Sequence, residues 1–276
     1  MKKIIVPIDF SEYSEYALET AAILAKKNHA EILALHMLEL SEAILTKGSD
    51  SQMESLFFMK LAEKRFNEFL DKAYLDNIKV TPIVKHFKVF SEVNEVAKEN
   101  QADLVVMGSQ GSSGIKEYFV GSNTEKVVRY SDIPVLVIKH NPILTEFETI
   151  VFASDFSDDA VSAYLKAKDM CNTLQANMNL VYVNLPGESF KSTAEMEGKV
   201  VTFLKKAEGN LESLSKVTYV SDYTVEQGIS NFANLIGADL VAVATHGRKG
   251  IAHFFEGSIS EDVANHSTLP VMTFKI

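Results

Sequence analysis

The sequence predicts an α/β chain of two similar domains, each a five-stranded parallel sheet with helices on both faces. Three observations carry that expectation. Short β-branched runs alternate with segments of helical periodicity, the pattern of strand–helix–strand units. The runs lack the in-and-out alternation of a half-exposed sheet, so both faces must be covered. The pattern also occurs twice. Asp155-Phe156-Ser157 lies 146 positions beyond Asp9-Phe10-Ser11, while Ala238-Asp239-Leu240-Val241, Gly257-Ser258 and Leu269-Pro270-Val271 lie 136 positions beyond Ala102-Asp103-Leu104-Val105, Gly121-Ser122 and Ile133-Pro134-Val135. The difference in offset falls between the second and third strands, where the first copy is longer. Repeats of this length mean domains, here 1–141 and 147–276, joined around Asn141-Pro142-Ile143-Leu144.

Taken in order, Lys3 to Ile8 is the first strand, and Ser11 is the N-cap of a helix with Tyr13, Ala17, Ala21 and Leu24 at helical spacing. Ile32 to Leu38 is the second strand, with His36 near its end as a buried structural residue. Leu56, Met59, Phe66, Phe69, Leu70 and Ala73 fall mostly on one face of a long helix, and Lys79 to Val84 is the third strand. Ser91 to Asn100 reads as a helix capped by Ser91, Leu104 to Met107 as the fourth strand, Asn123 to Tyr130 as a helix and Ile133 to Lys139 as the fifth strand. The second copy opens with Thr149 to Ser157, which matches Lys3 to Ser11, followed by a helical pattern from Ala160 to Cys171 and a strand over Asn179 to Val183.

Composition excludes several function classes. The net charge is −10, with an acidic excess in both halves, so neither domain is a nucleic-acid-binding polycation. The single cysteine, Cys171, sits in a helical pattern and allows no intramolecular disulfide; buried packing is its expected role. No apolar run approaches the roughly 20 residues that span a bilayer, and the lysines at the N-terminus precede too short an apolar run for a signal peptide. The expected setting is the cytoplasm, without a membrane or nucleic-acid partner. No Cys/His cluster has metal-ligand spacing.

The chemistry-bearing stretch is Gly108-Ser109-Gln110-Gly111, followed after nine residues by Gly121-Ser122. Glycines there would let backbone approach an anion closely and adopt positive φ, and the helix after Gly121 would offer N–H groups to the same anion. The competing structural reading makes the glycines ordinary turns and Ser122-Asn123-Thr124-Glu125 a capping box. Near the C-terminus the spacing recurs as Ala244-Thr245-His246-Gly247, with Gly250, then Gly257-Ser258, while Ser258-Ile259-Ser260-Glu261 again fits a capping box. Ala244 replaces the first glycine, and its methyl would hinder close approach or positive φ; Arg248 and Lys249 either add positive charge to an anion site or form a solvated loop tip. His246 reads either as a polar loop residue without a role or as a hydrogen-bonding partner for a ligand. Asp9 and Asp155 follow strand ends, where parallel sheets bind ligands, or simply cap the next helix.

These motifs together, with Val6-Pro7-Ile8-Asp9-Phe10-Ser11 at the start and Ile133-Pro134-Val135-Leu136-Val137-Ile138 at the end of the first copy, resemble a tandem universal stress protein over nearly the whole chain. The resemblance implies a Rossmann-like fold of the adenine nucleotide alpha hydrolase type. It also implies domains paired through their last strands as an internal pseudo-dimer, with a homodimer of two chains open, and, in one branch of the family, ATP bound at the glycine loop. It assigns Gly108, Gln110, Gly111, Gly121, Ser122 and Asn123 to phosphate and ribose, Pro7, Ile8 and Asp9 to the flanks of the adenosine, and Met37 to the adenine edge. The corresponding set in the second domain is Asp155, Val183, Gly247, Gly257 and Ser258, weakened by Ala244. Any Mg²⁺ would arrive with the nucleotide phosphates.

The implied function is an adenine-nucleotide-binding stress-response regulator that acts on an unknown protein partner, with domain 1 the better site. Two alternatives stand beside it: a module that binds another ligand or acts through its protein surfaces, and a slow ATPase. The sequence has no Gly-x4-Gly-Lys-Ser/Thr loop to supply a phosphoryl-binding lysine and no Gly-x-Ser-x-Gly elbow, so binding without efficient turnover is expected and no catalytic residue is assigned.

Overall fold

A computed structural model describes residues 1–38, 48–86, 89–110, 121–141, 146–245, 263 and 267–276. The chain divides into two compact units, with the division falling between Asn141 and Glu146. The first contains strands β1 (Lys3–Ile8), β2 (Glu31–Leu38), β3 (Val80–His86), β4 (Leu104–Gly108) and β5 (Val135–Ile138), and helices α1 (Glu12–Asn28), α2 (Gly48–Phe69), α3 (Val89–Asn100) and α4 (Ser122–Tyr130). The second contains β6 (Thr149–Ala153), β7 (Asn177–Asn184), β8 (Val217–Ser221), β9 (Leu240–Thr245) and β10 (Val271–Lys275), and helices α5 (Val161–Leu174), α6 (Thr193–Glu208) and α7 (Val225–Leu235).

Within each unit all strand pairs are parallel, in the order β3-β2-β1-β4-β5 for the first and β8-β7-β6-β9-β10 for the second. The strands read as continuous apolar runs because helices cover both faces: every residue of β4 and β5 is buried, as are Ile4, Ile5 and Val6 of β1. The buried face of α1 is largely alanine, Ala17, Ala21, Ala22 and Ala25 around Leu18 and Leu24. Small residues there let the helix lie close to the sheet.

The start of the central strand is tied by a side chain. Asp103 Oδ2 accepts from Lys2 N–H at 2.5 Å and Lys3 N–H at 3.0 Å, and Asp239 Oδ2 accepts from Glu148 and Thr149 N–H, both at 2.9 Å. Left-handed backbone also repeats in register, at His29 and Gln175, which end α1 and α5, and at Gln101 and Gly237 before β4 and β9.

Some expected boundaries move. The long helix ends at Phe69, and Ala73 belongs to a separate 3₁₀ turn, Ala73–Leu75. The helix expected to be capped by Ser91 begins at Val89, which puts Ser91 inside its first turn. Strand β5 begins at Val135 because Pro134 has no N–H to donate; the Pro134 carbonyl instead accepts from Val105 N–H at 2.9 Å. Cys171 is buried on α5, and burial pushes its thiol up to about 12, as an inert packing cysteine requires. Among the described residues no helix is long and apolar enough to cross a membrane, and no group of three or more His, Cys, Asp or Glu is placed to hold a metal.

Candidate functional site

Strand order locates the site. From β1 the chain winds outward to β3, then returns to β4 on the other side, so the order reverses between β1 and β4. The crevice outside the C-terminal ends of two such strands is where open parallel sheets take ligands. Register sets Ile4 against Leu104 and Ile5 against Val105, which brings Ile8-Asp9 level with Gly108-Ser109 at the C-terminal edge.

The β1 side of the crevice is a tight turn. Asp9 Oδ1 accepts from Ser11 N–H at 3.0 Å and Ser11 Oγ–H at 2.5 Å, while Ser11 Oγ accepts from Ser14 N–H and caps α1 as expected. Phe10 between them has φ 63°, left-handed backbone that a bulky residue adopts only when its surroundings enforce it. Those surroundings are aromatic. The Phe10 ring lies 4.6 Å from His36 and 5.5 Å from both Phe66 and Phe69, with the Arg65 guanidinium 5.8 Å over its face. His36 Nδ1 is 2.7 Å from the Ile8 carbonyl oxygen. Pro7 and Asp9 are half-buried at the edge, whereas the Ile8 side chain is buried and Met37, 8 % exposed, packs with Val93 and Val96 in the core. Pro7, Ile8 and Asp9 therefore stand at the strand edge beside the crevice, Pro7 and Asp9 half-buried and the Ile8 side chain buried.

On the β4 side, Gly121 N–H donates to the Ser109 carbonyl at 2.7 Å, so the two ends of the glycine loop meet where β4 stops. Gly111 lies outside the described residues. Gly121 is the N-cap of α4, with φ −61°, and Glu125 N–H donates to its carbonyl. This overturns the capping box: Ser122 is the first residue of the helix rather than its cap, and Glu125 bonds Arg129 one turn on. Among the described residues no side chain caps α4, and Ser122 and Asn123 are exposed at its start. The positive φ expected of the glycines is absent at Gly108 and Gly121.

Gly108 has a different reason to be glycine. A Cβ built there would come within 2.7 Å of Tyr13 Cβ and the Tyr13 carbonyl oxygen, so the first turn of α1 rests directly on the end of β4. Thr124, which the motif reading passed over, fastens the other side: its buried hydroxyl donates to the Gly108 carbonyl at 2.9 Å. Gln110 is half-buried beside them.

In the second domain the turn repeats in a looser form. Phe156 has φ 53°, and its ring stacks on Tyr182 at 5.9 Å and meets Phe203 edge-on at 5.2 Å; Tyr182 is the counterpart of His36. Asp155 accepts from Ser157 N–H at 3.0 Å, is exposed, and is 3.7 Å from Lys199 Nζ on α6. Val183, the position of Met37, is pressed under α7, where a Cβ on Gly228 would come within 2.6 Å of its Cγ1. Gly247, Gly257 and Ser258, together with His246, Arg248, Lys249, Gly250, Ser260 and Glu261, lie outside the described residues.

Phe10 and His36 were missed as site residues because the features that matter are a backbone angle and a strand-to-strand bond. The available signal was the repeat of Asp-Phe-Ser in both halves, since a large apolar residue kept between two turn formers must have something to pack on.

A family model described as the universal stress protein family matches residues 1–139 and again 146–275. Universal stress protein MJ0577 of Methanocaldococcus jannaschii is 32 % identical over 154 residues, covering 50 % of this chain and 94 % of its own length. Universal stress protein YxiE of Bacillus subtilis is 32 % identical over 147 residues, covering 50 % of this chain and 98 % of its own. A crystal structure of a universal stress protein from Archaeoglobus fulgidus superposes with a TM-score of 0.73 at 25 % identity, covering 99 % of this chain and 98 % of that one.

Proposed function

The chain belongs to the universal stress protein family, two of whose domains it carries in tandem, and on that premise we propose that it is a stress-response regulatory protein that binds ATP in its first domain. The observation that carries the proposal is the Gly121–Ser109 hydrogen bond, which sets both ends of the glycine loop at the start of a helix without a side-chain cap, across the crevice from Asp9. A helix N-terminus carries partial positive charge and N–H groups directed outward, and it stabilises a nearby anion by roughly 0.3–1 kcal/mol per charge at an exposed site.

The residues fit the nucleotide. The exposed Ser122 and Asn123 at the start of α4 would hold phosphate, with Gly121 and the backbone of Gly108 and Gln110 beside them. Pro7, Ile8 and Asp9 would flank the adenosine, and the strand backbone of Met37 would meet the base edge, its side chain being part of the core. Mg²⁺ would be carried by the phosphates. The proposal is binding without efficient turnover, read by a protein partner. It favours the first domain because the Asp9 turn is half-buried and held by two bonds from Ser11, whereas Asp155 is exposed and beside Lys199.

Denaturing the purified chain and assaying released nucleotide, followed by calorimetric titration with ATP and Mg²⁺, tests this. One site per chain is expected, and it is lost in Gly121→Val. Neither released nucleotide nor binding heat would sink the reading, and two equal sites would remove the preference for the first domain.

A further inference from the structure

His36 occupies an unusual position. It belongs to β2, yet its ring bonds the last carbonyl of β1 at 2.7 Å and lies against Phe10, the residue whose left-handed backbone turns the chain from β1 into α1. A carbonyl oxygen only accepts, so Nδ1 carries the proton and the neutral ring keeps its lone pair on Nε2. The half-buried ring packs on Phe10 and meets Phe66 edge-on at 6.0 Å. Two charged groups act on it: Asp9 from the turn and Arg65 from α2, while β3 sets the apolar Val84 beside it.

We propose that His36 is a positioning residue for the first-domain site: the neutral imidazole locks the Ile8-Asp9-Phe10 turn, and protonation releases it. Protonation keeps the Nδ1–H bond to Ile8 and adds a second donor at Nε2, which needs an acceptor of its own. Of the two charged groups acting on the ring, only the Asp9 carboxylate attracts a cation, and it already accepts from Ser11, the cap of α1. Protonation thus sets His36 and Ser11 in competition for Asp9. Burial holds the imidazole below its ordinary value, more strongly than the Ile8 carbonyl and Asp9 raise it. The unfolded chain then binds this proton more readily than the folded one, so the lock is intact above about pH 6.5 and weakens as pH falls below it. The second domain has Tyr182 at the corresponding position, packed on Phe156, and so has the turn without the titrating group.

The claim about nucleotide rests on the ATP reading above; the claim about the turn does not. Both are tested on the full chain by nuclear magnetic resonance and ATP titration between pH 5.5 and 7.5. The comparison uses wild type, His36→Gln, which can still donate to Ile8 but does not titrate, and His36→Tyr, the residue of the second domain. The amides of Asp9, Phe10 and Ser11 in the wild type should follow a single midpoint below about pH 6.5, coincident with the His36 ring and absent from both variants. ATP affinity should fall about five-fold more between pH 7.5 and 5.5 in wild type than in His36→Gln, a comparison that cancels titration of the phosphates. Turn amides that do not titrate, or that titrate alike in His36→Gln, would overturn the proposal. A titrating turn with no ATP bound at pH 7.5 would support the lock and overturn the nucleotide reading instead.

Discussion

The fourth strand of each domain ends against the start of the first helix, and the two domains solve that junction differently. In the first, α1 begins at Glu12 directly after its cap, and the Tyr13 backbone lies so close to β4 that only Gly108 fits. In the second, the equivalent stretch is a 3₁₀ turn, Asp158–Ala160, α5 begins only at Val161, and the strand carries Ala244. The glycine that opens the motif is therefore a demand of helix packing before it is a demand of any ligand. Ala244 goes with a rewound helix start.

Exchanging the two residues tests this difference most directly. Gly108→Ala forces Tyr13 backbone and strand apart and should destabilise the first domain by about 3 kcal/mol, the upper range for overpacking, whereas Ala244→Gly should cost about 0.5–1 kcal/mol from backbone entropy alone. Urea unfolding of the ligand-free protein measures both, and equal costs would mean that the glycine answers to something other than α1.

A second contrast lies under α7. Gly228→Ala gains helix propensity of about 1 kcal/mol but sets its methyl 2.6 Å from Val183 Cγ1, so a net loss of about 1–2 kcal/mol is expected. Val183→Ala should relieve it, and a double-mutant cycle should show coupling; additive losses would mean that α7 shifts freely over β7. The smallest effect concerns the left-handed residue before the fourth strand, Gln101 in one domain and Gly237 in the other, with φ 54° and 64°. Gln101→Gly should stabilise, and Gly237→Gln destabilise, by about 0.5–1 kcal/mol each in thermal unfolding.

These contrasts show what the sequence could carry. The strands were legible because β-branched runs covered on both faces have one reading, and β1 falls on Lys3–Ile8 as expected. The repeat made two similar domains readable without any structure, whereas the strand order β3-β2-β1-β4-β5 came only from the pairing. The site was legible as a place, since strand ends and glycine spacing are local, but its reasons were not. The Gly108–Tyr13 contact joins residues far apart in the chain, and the bond from Gly121 N–H to the Ser109 carbonyl at the N-cap of α4 spans the whole glycine loop. His36 read as a buried strand residue because nothing in its neighbourhood of sequence points to Ile8. Periodicity reports which face a residue is on, not which carbonyl it reaches.

The carboxylate ties at the base of each sheet also bear on how the chain is made. Lys2 is held by Asp103, 101 residues later, and Glu148 by Asp239, 91 residues later. The strand at the centre of each sheet is thus among the first parts of its domain to be synthesised, and it gains its second neighbour only after most of the domain has followed. Pairings of such long sequence separation are slow to form, and a half-built parallel sheet leaves strand edges open. During translation, each half of this protein waits on its fourth strand.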